Sequence, residues 1–391
     1  MYCIKELISE KISGEWGSEP DESSSVKVLR TTNFTNSGVI NFEKVVQRNI
    51  SKLVVDKKRL QLGDVIIEKS GGSPTQPVGR VVYFDKDVEE PILCNNFTTI
   101  LRPNEKVFPK YFFYSLYANH LTGKTLKFQN KTTGIINLKL ERYLDEKIPL
   151  PPLSEQKRIA DILDKADSLR QKRKESIALL DELLKSVFID MFGDPVRNEK
   201  GWEVRKAKDL FEIQLGKMLS AKNYTGKNLT PYLRNINVQW DAVDTRDIKM
   251  MDFDDREFQR YKLQKGDILV TEGGDVGRTA IYDSEVENCC YQNALHRLRK
   301  KVEIDSYYFL YFMMFAAERG MILKRTSTVT IAHFTAEKFK EFDVLYPDLK
   351  LQLIFGEKVA TVKKTKLLMQ GSDKELDNQF HALLQRAFRG A

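Results

Sequence analysis

Residues 150–188 read "LPPLSEQKRIADILDKADSLRQKRKESIALLDELLKSVF", and their pattern decides the architecture of the chain. Pro151 and Pro152 end an extended segment, Ser154 is placed to cap a helix, and no further Pro or Gly occurs before Gly193. Ile159, Ile162, Ala166 and Leu169 recur at the 3-4 spacing of a coiled-coil seam. The seam lapses at Arg173 and Ser176 and resumes at Leu180, Leu183 and Val187, and "FGDP" at 192–195 supplies the stop. At ~1.5 Å per residue the helix is expected to span roughly 55–60 Å. Such a helix cannot bury its apolar stripe alone and requires a partner.

The partner lies in the same chain. Residues 349–388 carry Ile354, Val359, Val362, Leu376, Phe380, Leu383 and Ala387, with an expected interruption at "QGSDK" (370–374). Both helices close copies of a larger repeat. "VLRTTNF" (28–34) returns as "YLRNINV" (232–238), 204 residues on. "LQLGDVIIEKSGG" (60–72) returns as "LQKGDILVTEGG" (263–274), and "PKYFFYSLY" (109–117) as "SYYFLYFMM" (306–314). "LLKSVF" (183–188) returns as "LLQRAF" (383–388).

The expected order is therefore a globular domain at 1–149, a helix within 150–195, a second domain at 196–346 and a second helix within 347–391. The fold class is mixed α+β: two repeated α/β domains separated by two long antiparallel helices, a coiled-coil-like spacer, in a pseudo-twofold arrangement. Within each domain, "GDVIIEK", "VGRVVYF" and "FTTILRP", and their counterparts "GDILVTE", "RTAIYD" and "ALHRLRK", read as strands of a largely antiparallel sheet. The aromatic runs at Tyr111–Tyr117 and Tyr307–Phe315 read as helices packed on it, their rings serving the core.

Catalytic signatures fail one by one. "LTGKT" (121–125) has Ala118 where a phosphate-binding loop needs its first Gly, so it reads as a turn. The four histidines are scattered, and Cys3, Cys94, Cys289 and Cys290 lack ligand spacing, so neither a metal nor a disulfide framework is expected. The chain has 63 Lys plus Arg against 55 Asp plus Glu, a net charge of +8 that suits a polyanionic partner. The N-terminal segment lacks the apolar stretch of a signal peptide, and no run is long enough to cross a membrane, so a cytoplasmic location is expected.

The duplicated domains, "PLPPLSEQKRIADIL" after the first, "MFGDP" followed by "GWEVRKAKDL", and the terminal "RAFRG" together resemble the specificity subunit of type I restriction-modification systems. The resemblance covers essentially the whole chain, although "YPDLKLQ" stands in the second copy where "PPLSEQ" stands in the first. It implies a non-catalytic subunit with two target-recognition domains, each reading half of a split double-stranded DNA sequence. It also implies two helices that dock two methyltransferase (modification) subunits, with restriction subunits joining the full complex. No cofactor is then expected in this chain, since S-adenosylmethionine, Mg and ATP belong to the partner subunits.

Candidate DNA contacts combine Arg or Lys with small polar side chains, because phosphates attract cations while base edges take bidentate or amide groups. In the first domain these are Arg30, Asn33, Lys69, Ser70, Ser73, Gln76, Arg80, Lys127, Gln129, Lys131 and Thr132. In the second they are Arg234, Asn235, Asn237, Gln239, Arg278, Lys324, Arg325, Thr326, Ser327 and Thr328. The competing readings are a stand-alone site-specific nuclease or fused restriction enzyme, and a helical scaffold whose domains bind protein.

Overall fold

The structure, a computed structural model, describes residues 1–20, 25–73, 75–132, 135–218, 225–283, 286–323 and 334–388. It divides into two compact units, Met1–Lys174 with Gly371–Ala391, and Glu175–Gln370. Each long helix is thus shared: one half belongs to one unit and the other half to the other.

The first unit is built on a four-stranded antiparallel sheet in the order Ile8–Ser13, Thr98–Pro103, Val65–Glu68, Val81–Tyr83. Val65, Ile66 and Ile67 are all fully buried, as their unbroken apolar run requires of a strand covered on both faces. A second sheet, Val46–Asn49, Ser25–Leu29, Ile92–Cys94, contains one parallel pairing. A third joins Gln129–Thr132, Ile135–Leu138 and Ser70–Gly72.

The second unit repeats this plan. Its sheet runs Phe211–Leu215, Leu295–Lys300, Ile268–Thr271, Thr279–Ile281, and its smaller sheet runs Lys249–Asp252, Leu229–Leu233, Cys290–Tyr291 with the same single parallel pairing. The Gly-Asp turns before the central strands are equivalent in detail. Gly63 (φ +95°) and Gly266 (φ +93°) adopt the left-handed conformation that a side chain disfavours. The following carboxylates accept from the backbone N–H of Gln61 and Gln264, both at 2.8 Å. Asp64 then takes both arms of Arg102 (2.9 and 3.0 Å), and Asp267 both arms of Arg299 (2.7 and 3.0 Å).

The aromatic runs form the helices Pro109–Leu121 and Ser306–Glu318, buried as expected of core elements. Tyr111 donates to Pro149 O at 2.9 Å, and its counterpart Tyr308 to Leu345 O at 2.8 Å. Two glutamines preserve the helix start despite the divergence of "YPDLKLQ" from "PPLSEQ". Gln156 accepts from Phe108 N–H at 2.8 Å and donates to Pro151 O at 2.8 Å. Gln352 accepts from Asp305 N–H at 3.0 Å and donates to Pro347 O at 2.8 Å.

The central helix spans Leu153–Phe192 and the C-terminal helix Leu349–Phe388, 40 residues each. Ser154 therefore lies inside the first turn rather than at the cap, while Gly193 (φ +77°) ends the helix in the left-handed conformation. The expected interruption at 370–374 is absent: the helix runs through Gly371. One Gly costs a helix only about 1 kcal/mol relative to Ala, which is too little to break a long, laterally packed one.

The seam is turned from its expected position. Val359 and Phe380 are buried, and Ile159, Ala166, Leu180, Val187, Val362, Leu376, Leu383 and Ala387 are half-buried. Ile162, Leu169, Leu183 and Ile354, however, are exposed (37, 56, 49 and 38 %). On the central helix the buried apolar positions are instead Ala160 and Leu163 in the first unit and Leu184, Phe188 and Phe192 in the second. The cause is that each helix half packs against the aromatic helix of a domain as well as against the other long helix. In the first unit Ala160, Leu163, Phe380, Leu384 and Phe388 share one core with Tyr111 and Tyr114. In the second, Phe188 stacks on Tyr308 (5.8 Å) and Phe315 (5.1 Å) and meets Phe355 edge-on (5.5 Å).

Each unit also carries a polar helix-to-helix lock. Arg170, 5 % exposed, reaches Asp377 at 2.6 Å and Asp167 at 2.8 Å, and its guanidinium lies 4.2 Å from the centre of the Phe380 ring. In the second unit Lys366 reaches Asp181 at 2.7 Å. The two pairs are repeat-related, Arg170 corresponding to Lys366 and Asp181 to Asp377.

Candidate nucleic-acid interface

The structure brings the first unit's candidates together in two groups. Lys69, Ser70, Ser73 and Gln76 lie on or beside the Ser70–Gly72 strand, in the same three-stranded sheet that carries Gln129, Lys131 and Thr132, with Lys127 just before it. Within it Ser70 donates to Asn137 Oδ1 at 2.5 Å, and Lys69 donates to Ser13 Oγ at 2.7 Å, with burial holding its ammonium pKa below the ordinary value. Ser73 Oγ accepts from Gln76 N–H at 3.1 Å, while the Gln76 and Lys127 side chains are exposed. Gln129 is drawn inward, donating to Val78 O at 3.2 Å, so it supports the sheet rather than offering an amide to DNA. The side chains of Lys131 and Thr132 lie outside the described residues.

The second group, Arg30, Asn33 and Arg80, is largely structural. Asn33 is 3 % exposed: its Oδ1 accepts from Arg30 N–H at 2.8 Å and its amide donates to Asn41 O at 3.0 Å. Asn237, 2 % exposed, repeats both bonds with Arg234 N–H (2.8 Å) and Asp244 O (2.8 Å). These two asparagines are withdrawn as DNA readers, because a buried amide with both ends satisfied has nothing to offer a base. Arg80 is likewise committed inward, bonding Glu68 with two arms (2.8 and 3.0 Å) and the carbonyls of Phe34 and Thr31 (both 3.1 Å). Arg30 and Arg234 sit half-buried, donating to Lys44 O (3.3 Å) and to Asp247 (2.6 Å) respectively.

In the second unit Asn235, Gln239 and Arg278 form one network. Arg278 donates to Asn235 Oδ1 at 2.5 Å, Asn235 O at 3.3 Å and Gln239 Oε1 at 3.1 Å. Lys324, Arg325, Thr326, Ser327 and Thr328 lie outside the described residues.

Selecting polar residues overlooked the apolar ones. Phe97, Leu126 and Ile135 are exposed (42, 53 and 50 %) beside the three-stranded sheet, and Ile236 (63 %) projects next to Asn235. Such side chains suit thymine methyl groups and base steps. The sequence signal was faint: an apolar residue in a turn, with no periodic partner. Among the described residues no group of three His, Cys, Asp or Glu side chains has metal-binding geometry, and no helix is long and apolar enough to cross a membrane.

The sequence model of the type I restriction modification DNA specificity domain matches residues 9–179 and again 199–378. The chain belongs to this family. The EcoKI specificity subunit of Escherichia coli is 25 % identical over 368 residues, covering 86 % of this chain and 76 % of that one. The MjaVIII specificity subunit of Methanocaldococcus jannaschii is 27 % identical over 241 residues, so the match spans about half of each, 57 % and 56 %. Two solved structures share the fold. A chain from a type I R-M system described for complex assembly and conformational transition has a TM-score of 0.61 at 17 % identity, covering 100 % of this chain and 97 % of that one. The S subunit from M. genitalium has a TM-score of 0.55 at 15 % identity, covering 100 % and 96 %. The chain thus carries two copies of a DNA specificity domain, and the nuclease reading has no support.

Proposed function

We propose that the chain is the sequence-reading subunit of a type I restriction-modification complex, each domain recognising one half of a bipartite double-stranded DNA target. The observation that carries this reading is the repetition of one buried framework beneath unlike surfaces. The Asp64–Arg102 and Asp267–Arg299 pairs and the Asn33 and Asn237 turns recur almost bond for bond. The loops above it meanwhile differ in sequence, "SGGSPTQPVGR" (70–80) against "EGGDVGR" (272–278), as two readers of different half-sites require. The 40-residue helices set the spacing of the two readers and dock two methyltransferase subunits, and exposed apolar positions such as Ile162, Leu169 and Leu183 supply part of that docking face. Restriction subunits complete the assembly; S-adenosylmethionine, Mg and ATP are held by the partners. The complex works in the cytoplasm.

The test is domain exchange. Replacing residues 199–346 by the equivalent domain of another specificity subunit, in a complex with the modification subunits, is expected to alter one half of the methylated sequence and leave the other intact. An unchanged sequence refutes the reading, as does methylation or cleavage by the purified chain alone.

A further inference from the structure

The repeat places Arg80 and Arg278 at the same point of the fold, yet their surroundings differ in one decisive respect. Both follow a left-handed glycine, Gly79 (φ +100°) and Gly277 (φ +86°). Both return a carbonyl to the central strand, Arg80 O to Glu68 N–H and Arg278 O to Thr271 N–H, each at 2.9 Å. Glu68 and Thr271 are thus structural equivalents, and the second unit has a hydroxyl where the first has a carboxylate. Thr271 is fully buried and spends that hydroxyl on the backbone, donating to Asp275 O at 2.6 Å and accepting from Arg278 N–H at 3.0 Å.

The consequence falls on the guanidinium. In the first unit Nε and one terminal nitrogen close a two-armed ion pair with Glu68, whose side chain is 3 % exposed. Displacing Arg80 would strand a buried carboxylate, a costly event that fixes the arginine in place. In the second unit Nε of Arg278 has no partner among the described residues. The remaining donors meet neutral acceptors on Asn235 and Gln239, and a carboxylate that faces it, Asp275 at 3.5 Å, is 83 % exposed and so holds the charge weakly. Neutral amide bonds can be traded for a phosphate oxygen or a guanine edge at little net loss, and the trade would also free the amides of Asn235 and Gln239.

We propose that Arg278 is a DNA-contacting, specificity-determining arginine of the second domain, whereas Arg80 is a structural residue of the first. This rests on the reading of the two domains as DNA readers. The Thr-for-Glu difference at position 271 is what releases the charge.

The test uses the full chain in complex with its modification subunits, and duplexes carrying the sequence mapped by methylation, with each half-site varied separately. Arg278→Gln is expected to weaken binding of the cognate duplex by about ten- to hundredfold, with discrimination lost in one half-site only. Arg278→Lys is expected to lose affinity comparably to Gln, the mark of a two-armed base contact, whereas near-normal affinity would mark a phosphate contact and overturn the specificity role. Thr271→Glu, which recreates the arrangement of the first unit, is expected to weaken the same half-site while Arg278 remains in place. Arg80→Lys is expected to lower the melting temperature without changing half-site preference. Unaltered discrimination in a folded Arg278→Gln complex overturns the proposal, as does a changed half-site preference in Arg80→Lys. If exchange of residues 199–346 alters the target while Arg278→Gln does not, only this inference fails; if the exchange alters nothing, the reading beneath it fails.

Discussion

Asp64 and Asp267 show how much a single carboxylate does here. Each caps its own turn and receives both arms of an arginine from the neighbouring strand, while being almost wholly buried (1 and 4 % exposed). Asp64→Asn and Asp267→Asn are each expected to cost about 2–3 kcal/mol, read as a lowered urea midpoint, with similar values because the environments match. Two histidines set a pH limit. Burial, with the nearby Arg80 charge as a lesser cause, depresses His120 to about 4, and burial depresses His296 to about 4, well below the ordinary histidine value. Both are then neutral when folded and take protons on unfolding, so their contribution is complete above the unfolded pKa near 6.5 and is lost as pH falls towards 4. Stability is expected to drop across that window by roughly 3 kcal/mol per histidine. His296→Gln, which retains a donor for Phe334 O (2.7 Å in the native chain), should remove about half of the slope in denaturation measured from pH 7 to 4. At this scale the sequence was least legible. Asn33 and Asn237 carry the residue type that reads adenine, and nothing in one sequence distinguishes an amide folded inward from one turned to solvent.

At the scale of elements the sequence was read more successfully, and its errors have a common cause. The six strands proposed from β-branched runs and both aromatic helices are present, because alternation and Gly-Asp turns are local signals. The helix seam was misplaced because an a/d stripe assumes a single partner, whereas each helix half faces two. The same crowding explains why Arg170 is buried. Its charge lies seven residues beyond the buried Leu163, on the same helix face, matched by Asp377 and Asp167 and covered by Phe380. Arg170→Ala is expected to cost about 3 kcal/mol, since it strands the carboxylates, and an Arg170→Asp, Asp377→Arg double variant should recover part of that loss in thermal melts. No recovery would show that the ring contact, not the ion pair, carries the stability.

For the whole molecule, duplication was visible from the first repeated heptapeptide, and the family followed from the helix boundaries. What could not be read was that the compact units cut across the linear order, each taking half of both helices. With a net charge of +8, the complex is expected to lose DNA affinity steeply with salt, log affinity falling by about 0.9 per phosphate contacted for each tenfold rise in salt. Filter binding between 50 and 200 mM salt, about the range over which such effects are large, measures the slope. A flat response would mean that the phosphate backbone is not engaged.

The shared helices also set a rule for transplantation. A foreign recognition domain inherits its seat from whatever chain it enters, so its aromatic helix must fit residues it did not evolve beside. At the first position these are Ala160, Leu163, Phe380 and Phe388, met by Tyr111 and Tyr114. At the second they are Phe188 and Phe355, met by Tyr308 and Tyr311. Because a tyrosine stands at the equivalent of Tyr111 in both positions and bonds the equivalent backbone carbonyl in each, domains that carry it are expected to seat at either position, with the melting temperature of a domain-exchanged chain as the check. Exchanging such domains would then change the target without redesign of the frame.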